Sequence, residues 1–313
     1  MNILVTGGAG FIGRWVVKRL LAEGHRVTAF DDLSNGQMVN IEEFLGNPEF
    51  TFINGDIKDT AALADLFTAG FDLVYHLAAS INVQDSIDDP RTTFNNDAIG
   101  TFNVLEECKR AGIKMVFMST CMVYDRSQDD TGITEEHPVK PASPYAASKL
   151  AGEALTLSYY YAYGLPTVVV RPFNTYGPFQ KSSGEGGVVA IFIQRDLQGA
   201  DLNIYGEGSQ TRDLLYVEDC ARFIIETGMN NKADGLILNA GLGRDITIND
   251  LAALTCNDPQ RIKHVTHIHP QSEIPKLLCN YRKAQGLLGW EPAVSLEEGL
   301  QRTREWIAGQ ENR

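Results

Sequence analysis

Two hydrophobic rhythms alternate along the first half of the chain. Short β-rich runs such as Asn2-Ile3-Leu4-Val5 give way to stretches whose apolar residues recur every three or four positions. That alternation predicts a parallel sheet with crossover helices, a doubly wound α/β fold of the Rossmann kind. Strands are expected near residues 2–6, 26–31, 50–54, 72–77, 115–119 and 166–171, and helices near 11–23, 60–69, 91–111 and 144–163. The helix near 91–111 gathers Phe94, Ala98, Phe102 and Leu105 on one stripe. The helix after it has a readable start, Ser143 as N-cap and Pro144 at the first helical position. Beyond Arg171 the texture changes. The segment from Gly177 to Gly187 is rich in Gly, Ser and charge and reads as a loop or lid. A helix near 188–198, a strand around Leu202–Tyr205 and a buried strand over 236–240 are expected after it. With no linker or repeat in sight, the pattern predicts two lobes sharing one cleft. One is the doubly wound lobe over 1–172, with returning segments near 213–241; the other is a smaller α/β lobe over 173–313.

Composition narrows the partners. Of 313 residues, 43% are hydrophobic and 21% charged, ordinary for a globular protein in water. Lysine and arginine number 27 against 40 acidic residues, for a net charge of −13. So acidic a chain is a poor partner for nucleic acid or an anionic membrane, although local arginines and helix N-termini can still hold phosphates. The five cysteines, Cys108, Cys121, Cys220, Cys256 and Cys279, are scattered without a Cys-x-x-Cys spacing, which indicates neither a disulfide framework nor a zinc site. The histidines show no metal spacing either; the cluster His264, His267 and His269 reads as a loop lining a nucleotide pocket. No export segment opens the chain, and no apolar run reaches the ~18 residues of a membrane span, so a cytoplasmic protein is expected.

Chemistry first appears at the junction of strand and helix. Gly7, Gly10 and Gly13 lie between the first strand and the apolar helix start Phe11-Ile12. Such a turn needs residues that tolerate unusual φ, and it lets backbone approach a pyrophosphate at a helix N-terminus. The second strand ends in Asp31-Asp32. A carboxylate there accepts hydrogen bonds from adenosine ribose hydroxyls and repels a 2′-phosphate, and no arginine follows Asp31 to welcome one. NAD is therefore favoured over NADP. Gly55-Asp56-Ile57, just after the third strand, is placed to meet the adenine.

Tyr145 and Lys149, four apart on a helix, share one face. The lysine ammonium is expected to lower the phenol pKa from its unperturbed ~10, making a phenolate accessible. That phenolate can take a hydroxyl proton while the adjacent C–H leaves as hydride, and Thr120, at the end of the fifth strand, can hydrogen-bond the same oxygen. Asn174 and Arg212 offer neutral and cationic donors further on, and the fork of Arg212 suits a diphosphate.

Taken in order, these motifs resemble the extended short-chain dehydrogenase/reductase family, its NAD-dependent nucleotide-sugar epimerases and dehydratases in particular. The likeness runs over nearly the whole chain, through the glycine turn, Asp31 to Gly36, Gly55 to Ile57, His76 to Ala79, Gly100-Thr101, Ser119 to Tyr124, Tyr145 to Lys149 and Arg171 to Pro178. It continues through Ile204 to Gly206, Gln210 to Asp213 and Leu287 to Trp290. The resemblance implies a bound NAD returned to its starting state each turnover, a nucleoside diphosphate sugar as substrate, and a homodimer pairing the helices near 91–111 and 144–163. It implies cofactor contacts at Gly7, Gly10, Phe11, Ile12, Gly13, Asp31, Asp32, Ser34, Asn35, Gly36, Asp56, Ile57, Leu77, Ala78, Ala79, Ser119, Tyr145, Lys149 and Pro172. On the substrate side it implies Ser80, Thr120, Met122, Asn174, Val188, Asn203, Tyr205, Arg212 and Asn239.

Departures from the family pattern bear on the reaction. Dehydratases and decarboxylases of the family usually carry an acidic pair after the catalytic threonine, where this chain has Cys121-Met122. A thioether cannot take a proton, whereas Cys121 can act as an acid or base, since a thiol titrates near ~8.5. Asp97 stands where the family often has Asn, and Asp125 where it often has Gly. His269-Pro270-Gln-Ser-Glu273 occupies the region of a late Arg-Pro-Gly phosphate motif. A UDP-hexose 4-epimerase working through a 4-keto intermediate needs only Thr120, Tyr145 and Lys149 and is the leading expectation. The alternative is a 4,6- or 5,6-dehydratase or a decarboxylase using Cys121.

Overall fold

The computed structural model describes residues 1–127, 129–182, 187–267, 270 and 273–311. The chain opens with β1 (Asn2–Thr6), α1 (Phe11–Ala22), β2 (Arg26–Asp31), β3 (Phe50–Asn54), α2 (Thr60–Phe67) and β4 (Leu73–His76). A long helical stretch follows: α3 (Val83–Asp88), α4 (Pro90–Phe94), a π-helical turn (Asn95–Ile99) and α5 (Gly100–Ala111). Then come β5 (Lys114–Met118), α6 (Pro144–Tyr163) and β6 (Thr167–Pro172). The second half contributes β7 (Asn174–Tyr176), α7 (Val188–Leu197), β8 (Leu202–Tyr205), β9 (Thr211–Tyr216), α8 (Val217–Met229) and β10 (Ile237–Ala240). It ends with β11 (Asp245–Thr247), α9 (Ile248–Thr255), β12 (Ile262–Val265), β13 (Lys276–Leu277), α10 (Arg282–Leu288) and α11 (Leu296–Glu311).

A seven-stranded parallel sheet, ordered β3-β2-β1-β4-β5-β6-β10, forms the frame. Its inner strands β1, β4, β5 and β6 are buried almost throughout because both faces are covered, whereas the edge strand β3 is largely exposed. In β1, Ile3 and Val5 join the core under α1 and α8, while Leu4 joins the core under α2, α5 and α6. The strand order reverses between β1 and β4, which opens a crevice at the carboxyl ends of the strands. A third core, with Val189, Phe192 and Ile193 of α7, Leu251 of α9 and Ile307 of α11, holds the smaller lobe together. Among the described residues no helix is long and apolar enough to cross a membrane.

One expected element differs. Residues 91–111 do not form one regular helix: the chain enters at Asp89, whose carboxylate caps Thr92 N–H, and passes through the π-helical turn before α5. The Thr101 hydroxyl donates to the Asp97 carbonyl (2.5 Å) within that region. The wider turn shifts the register by about 100°, so the expected stripe divides. Ala98 and Leu105 are buried, whereas Phe94 and Phe102 are 48% and 41% exposed.

Candidate active site

The glycine turn is built by close approach. Gly7 takes φ 71°, and a Cβ on it would lie 2.7 Å from the Ala78 amide nitrogen. A Cβ on Gly13 would lie 2.0 Å from the Gly7 carbonyl oxygen, so the start of α1 packs directly on the turn. Gly10 differs: its Cβ would meet only that carbonyl, at 3.0 Å, and the residue lines an open cleft of about 620 Å³. At the end of β2, Asp31 accepts the Ala9 amide on Oδ2 (3.0 Å) and the Leu33 amide on Oδ1 (2.9 Å). Burial raises its carboxyl pKa and the two amides oppose that rise. Each oxygen retains a lone pair for a ribose hydroxyl. Asp32 binds its own turn through Ser34.

The same cleft continues past Leu77, Ala78 and Ala79 to Ser119, Thr120, Cys121, Met122, Tyr145, Pro172 and Asn174. Its wall also takes in Phe11, Ile12, Ser34, Asn35, Gly36, Gly55 and Ile57. Asp56 is not part of that wall; its carboxylate accepts the Lys58 amide at 2.8 Å and pairs with the Lys58 ammonium. A cradle that added methyl groups would fill, with a carboxylate at the far strand end, fits an adenine dinucleotide.

Thr120 follows β5 and caps the short turn Cys121–Val123 through Met122 N–H (3.2 Å). Ser143 caps α6 through Ala146 N–H and delivers Tyr145 to the cleft, hydrogen-bonded to Thr120. Lys149, one turn on, is 3% exposed and lies behind the wall, its ammonium 4.6 Å from the Phe117 ring centre. The expectation that Lys149 acidifies Tyr145 is not met in the protein by itself. Burial pushes the phenol up, Asp97 adds to that rise, and the Thr120 hydrogen bond opposes it. Burial also lowers the Lys149 pKa, against the pull of Asp97 and Glu153. Cys121 lines the cleft at 2% exposure, and burial pushes its thiol up to about 12. At neutral pH it holds a proton.

The substrate residues expected from sequence divide. Asn174 and Met122 reach the cleft, and the Asn174 side-chain oxygen is buried without a partner in the protein. Ser80 stands just outside the wall, its amide on Asp97 (2.7 Å) and its hydroxyl accepting from Asn96 (3.1 Å). Val188 begins α7 next to Gly187 of the wall. Asn203 and Tyr205 sit on β8, paired with β12, outside the wall. Arg212 is committed to Glu273 and donates to the Ile274 carbonyl at 2.8 Å. Asn239 is fully buried away from the cleft: its oxygen accepts from the Tyr124 hydroxyl (2.8 Å) and its amide donates to the Ile133 carbonyl (3.1 Å). Its buried place on β10 explains that difference, since a buried side-chain amide must find protein partners. In the histidine cluster, His264 meets the Gly206 carbonyl and His267 meets Glu273, while His269 lies outside the described residues.

Sequence reasoning missed a buried network behind Tyr145. Arg171 donates to both oxygens of Glu153 (2.8 and 2.5 Å), and the Ser119 hydroxyl donates to the same carboxylate. Glu153 stands four residues after Lys149 and eight after Tyr145, so the spacing of one helix face was the available signal. Phe179, Gln180 and Lys181 of the Gly177–Gly187 segment also border the cleft; its residues 183–186 lie outside those described.

Known proteins share this arrangement. A solved structure, Pal from Bacillus thuringiensis, is 63% identical with a TM-score of 0.98, covering 99% of this chain and 100% of that one. The UDP-glucose 4-epimerase of Thermotoga maritima, solved with UDP-glucose, is 35% identical with a TM-score of 0.92 over 99% of each chain. The UDP-glucose 4-epimerase of Mycolicibacterium smegmatis is 35% identical over 98% of each chain. Residues 3–241 match the NAD dependent epimerase/dehydratase family. With its glycine turn, its strand-end Asp31 and its Thr120–Tyr145 pair at one crevice, the chain belongs to that family of NAD-using enzymes.

Proposed function

We propose that the protein epimerises a nucleoside diphosphate sugar, most simply as a UDP-hexose 4-epimerase passing through a 4-keto sugar. The observation that carries this reading is the meeting of Tyr145 and Thr120 in the cleft that begins at the glycine turn, beside a Met122 with no proton to exchange. When bound, NAD supplies the acceptor and donor of a hydride at the carbinol carbon. Gly7, Gly10, Gly13 and Asp31 hold it, Tyr145 takes and returns the hydroxyl proton, Thr120 orients the same oxygen, and Lys149 supplies positive charge behind the phenol. Asn174 receives a sugar or phosphate donor on its unpartnered oxygen. Arg212 holds the diphosphate after exchanging Glu273 for it. The exposed Phe94, Ile99 and Phe102 support a homodimer through α4, α5 and α6, and the protein works in the cytoplasm.

One observation favours a second reading. Cys121 presents a protonated thiol to the cleft directly after Thr120, which suits an acid in a dehydratase or other multi-step reaction. Incubating a UDP-hexose panel with the protein in deuterated water separates the two by mass spectrometry and NMR. Unchanged mass, inverted C4 and no carbon-bound deuterium support the epimerase. Loss of water, or solvent deuterium at C5 that disappears in Cys121→Ala, refutes it in favour of the second reading.

A further inference from the structure

Beyond the glycine turn the two lobes meet at one aromatic ring. Phe179 takes φ 71°, a left-handed backbone that a residue with a Cβ rarely holds. Its ring lies under the Arg14 guanidinium, 3.5 Å from Cζ to the ring centre, and meets Trp15 edge to face at 6.3 Å. Both partners stand on α1 of the sheet-bearing lobe. The same ring packs on Trp306 of α11, in the smaller lobe, with centres 4.7 Å apart. Trp15 also donates from Nε1 to the Pro178 carbonyl (3.2 Å), which fixes the preceding residue.

The chain after that ring serves the cleft. Gln180 donates its side-chain amide to the Thr175 carbonyl (3.0 Å), and a Cβ on Gly187 would lie 1.9 Å from the same nitrogen. Gln180, Lys181 and Gly187 border the cleft that begins at the glycine turn. Arg14 reaches that turn by another route. It is buried, donates from Nε to the Asn40 carbonyl (2.8 Å) and pairs with Glu43. Asn40 in turn donates its amide to the Ala9 carbonyl (2.7 Å), inside the turn. Arg14 Nη1 has no hydrogen-bond partner among the described residues; the rings of Trp15, Phe44 and Phe179 surround the guanidinium in place of water.

We propose that Phe179 is a positioning residue, a wedge between Arg14 and Trp306 that holds the strap from Gly177 to Lys181 against the cleft and so slows release of the dinucleotide. The inference rests on the reading that Gly7, Gly10, Gly13 and Asp31 hold NAD. A backbone kept at positive φ is costly, and it persists only where the surroundings over-determine it, as contacts to both lobes do here. Without the ring, three things loosen together. The strap beside Gln180 and Lys181 loses its anchor, water reaches the Arg14 guanidinium, and through Asn40 the hold on the Ala9 carbonyl weakens.

The test loads the protein with radiolabelled NAD, adds an excess of unlabelled NAD and follows loss of the label with time. Phe179→Asn removes the ring yet suits a positive φ, and should release NAD about tenfold faster or more. Trp306→Leu, which removes the partner on the smaller lobe, should speed release in the same direction. Phe179→Tyr keeps both stacks and should release at the parent rate. Leu66→Ala opens a cavity in the core under α2, controls for lost stability, and should leave the rate unmoved. A parent-like rate in folded Phe179→Asn or Trp306→Leu overturns the inference, as does equal acceleration by Leu66→Ala, which would make the effect one of stability alone. If Phe179→Asn releases at the parent rate while Gly10→Ala weakens NAD binding, the cofactor site stands and the wedge alone is wrong. If Gly10→Ala binds NAD as tightly as the parent, the cofactor reading fails and the inference falls with it.

Discussion

Gly10 and Gly13 look equivalent in the sequence, but the structure separates them. A methyl group on Gly13 collides with backbone, 2.0 Å from the Gly7 oxygen and 2.9 Å from the Gly8 Cα. Neither can yield without opening the turn. Overpacking of this kind costs about 1–3 kcal/mol or more, so Gly13→Ala should lose that much stability in the protein without cofactor. Gly10 has φ −74°, which alanine accepts, and its methyl meets only one oxygen at 3.0 Å. Its effect on cofactor-free stability should stay within about 1 kcal/mol in either direction. The methyl would, however, project into the space proposed for the pyrophosphate. The same overpacking of about 1–3 kcal/mol then falls on binding, a loss of roughly 5- to 150-fold in NAD affinity. Urea unfolding of cofactor-stripped protein measures the first quantity, and calorimetric titration with NAD the second. A Gly10→Ala protein that binds NAD as tightly as the parent would show that the pyrophosphate does not lie against this turn.

Other expectations follow from the same geometry. Tyr145→Phe should reduce turnover on the responding UDP-hexose by roughly 10²–10⁴-fold while leaving sugar-nucleotide binding largely intact; retention of a tenth of the activity would remove Tyr145 from the chemistry. Arg171→Met leaves Glu153 buried without its cation and should cost about 3–5 kcal/mol in urea unfolding, and adding Glu153→Gln should recover part of that loss. His76 has a folded pKa near 3 against an unfolded ~6.5, so the unfolded chain binds the extra proton between those values. Its contribution to stability should fall as pH drops below ~6.5, by about 1.4 kcal/mol per unit, seen as the difference between parent and His76→Gln unfolding curves. Phe94→Asp with Phe102→Asp should convert a dimer to monomer in light scattering, and a parent already monomeric would end the dimer proposal.

The frame was legible in the sequence because each buried strand and each crossover helix carries its own period, as in Ile3-Leu4-Val5 and the capped start Ser143-Pro144. The glycine turn and the Tyr145–Lys149 spacing were legible for a related reason: their chemistry lies within one turn of chain. What stayed hidden depends on where distant segments meet. Nothing near residue 212 announces Glu273, and nothing near 239 announces Tyr124. The rise of the Tyr145 pKa in the protein without cofactor follows from the burial around it and from Asp97 on the π-helical turn, neither of which the Tyr145–Lys149 spacing shows. α8, by contrast, carries a readable period, with Cys220, Phe223, Ile224 and Thr227 on one buried face.

The carboxylate of Asp31 is gripped by the amide of Ala9, inside the glycine turn, and by that of Leu33, which holds φ 61° just beyond β2. Preference for one dinucleotide over the other is therefore wired into the same few atoms that shape the pyrophosphate cradle. Exchanging Asp31 for a small neutral residue, the usual first move when cofactor choice is re-engineered, would unfasten two loops at once. Such a variant is expected to lose its hold on NAD well before it acquires any for NADP. A lineage crossing between the cofactors would have to rebuild the stretch from Ala9 to Leu33 as a unit, which makes cofactor choice an evolutionarily stiff character of this chain.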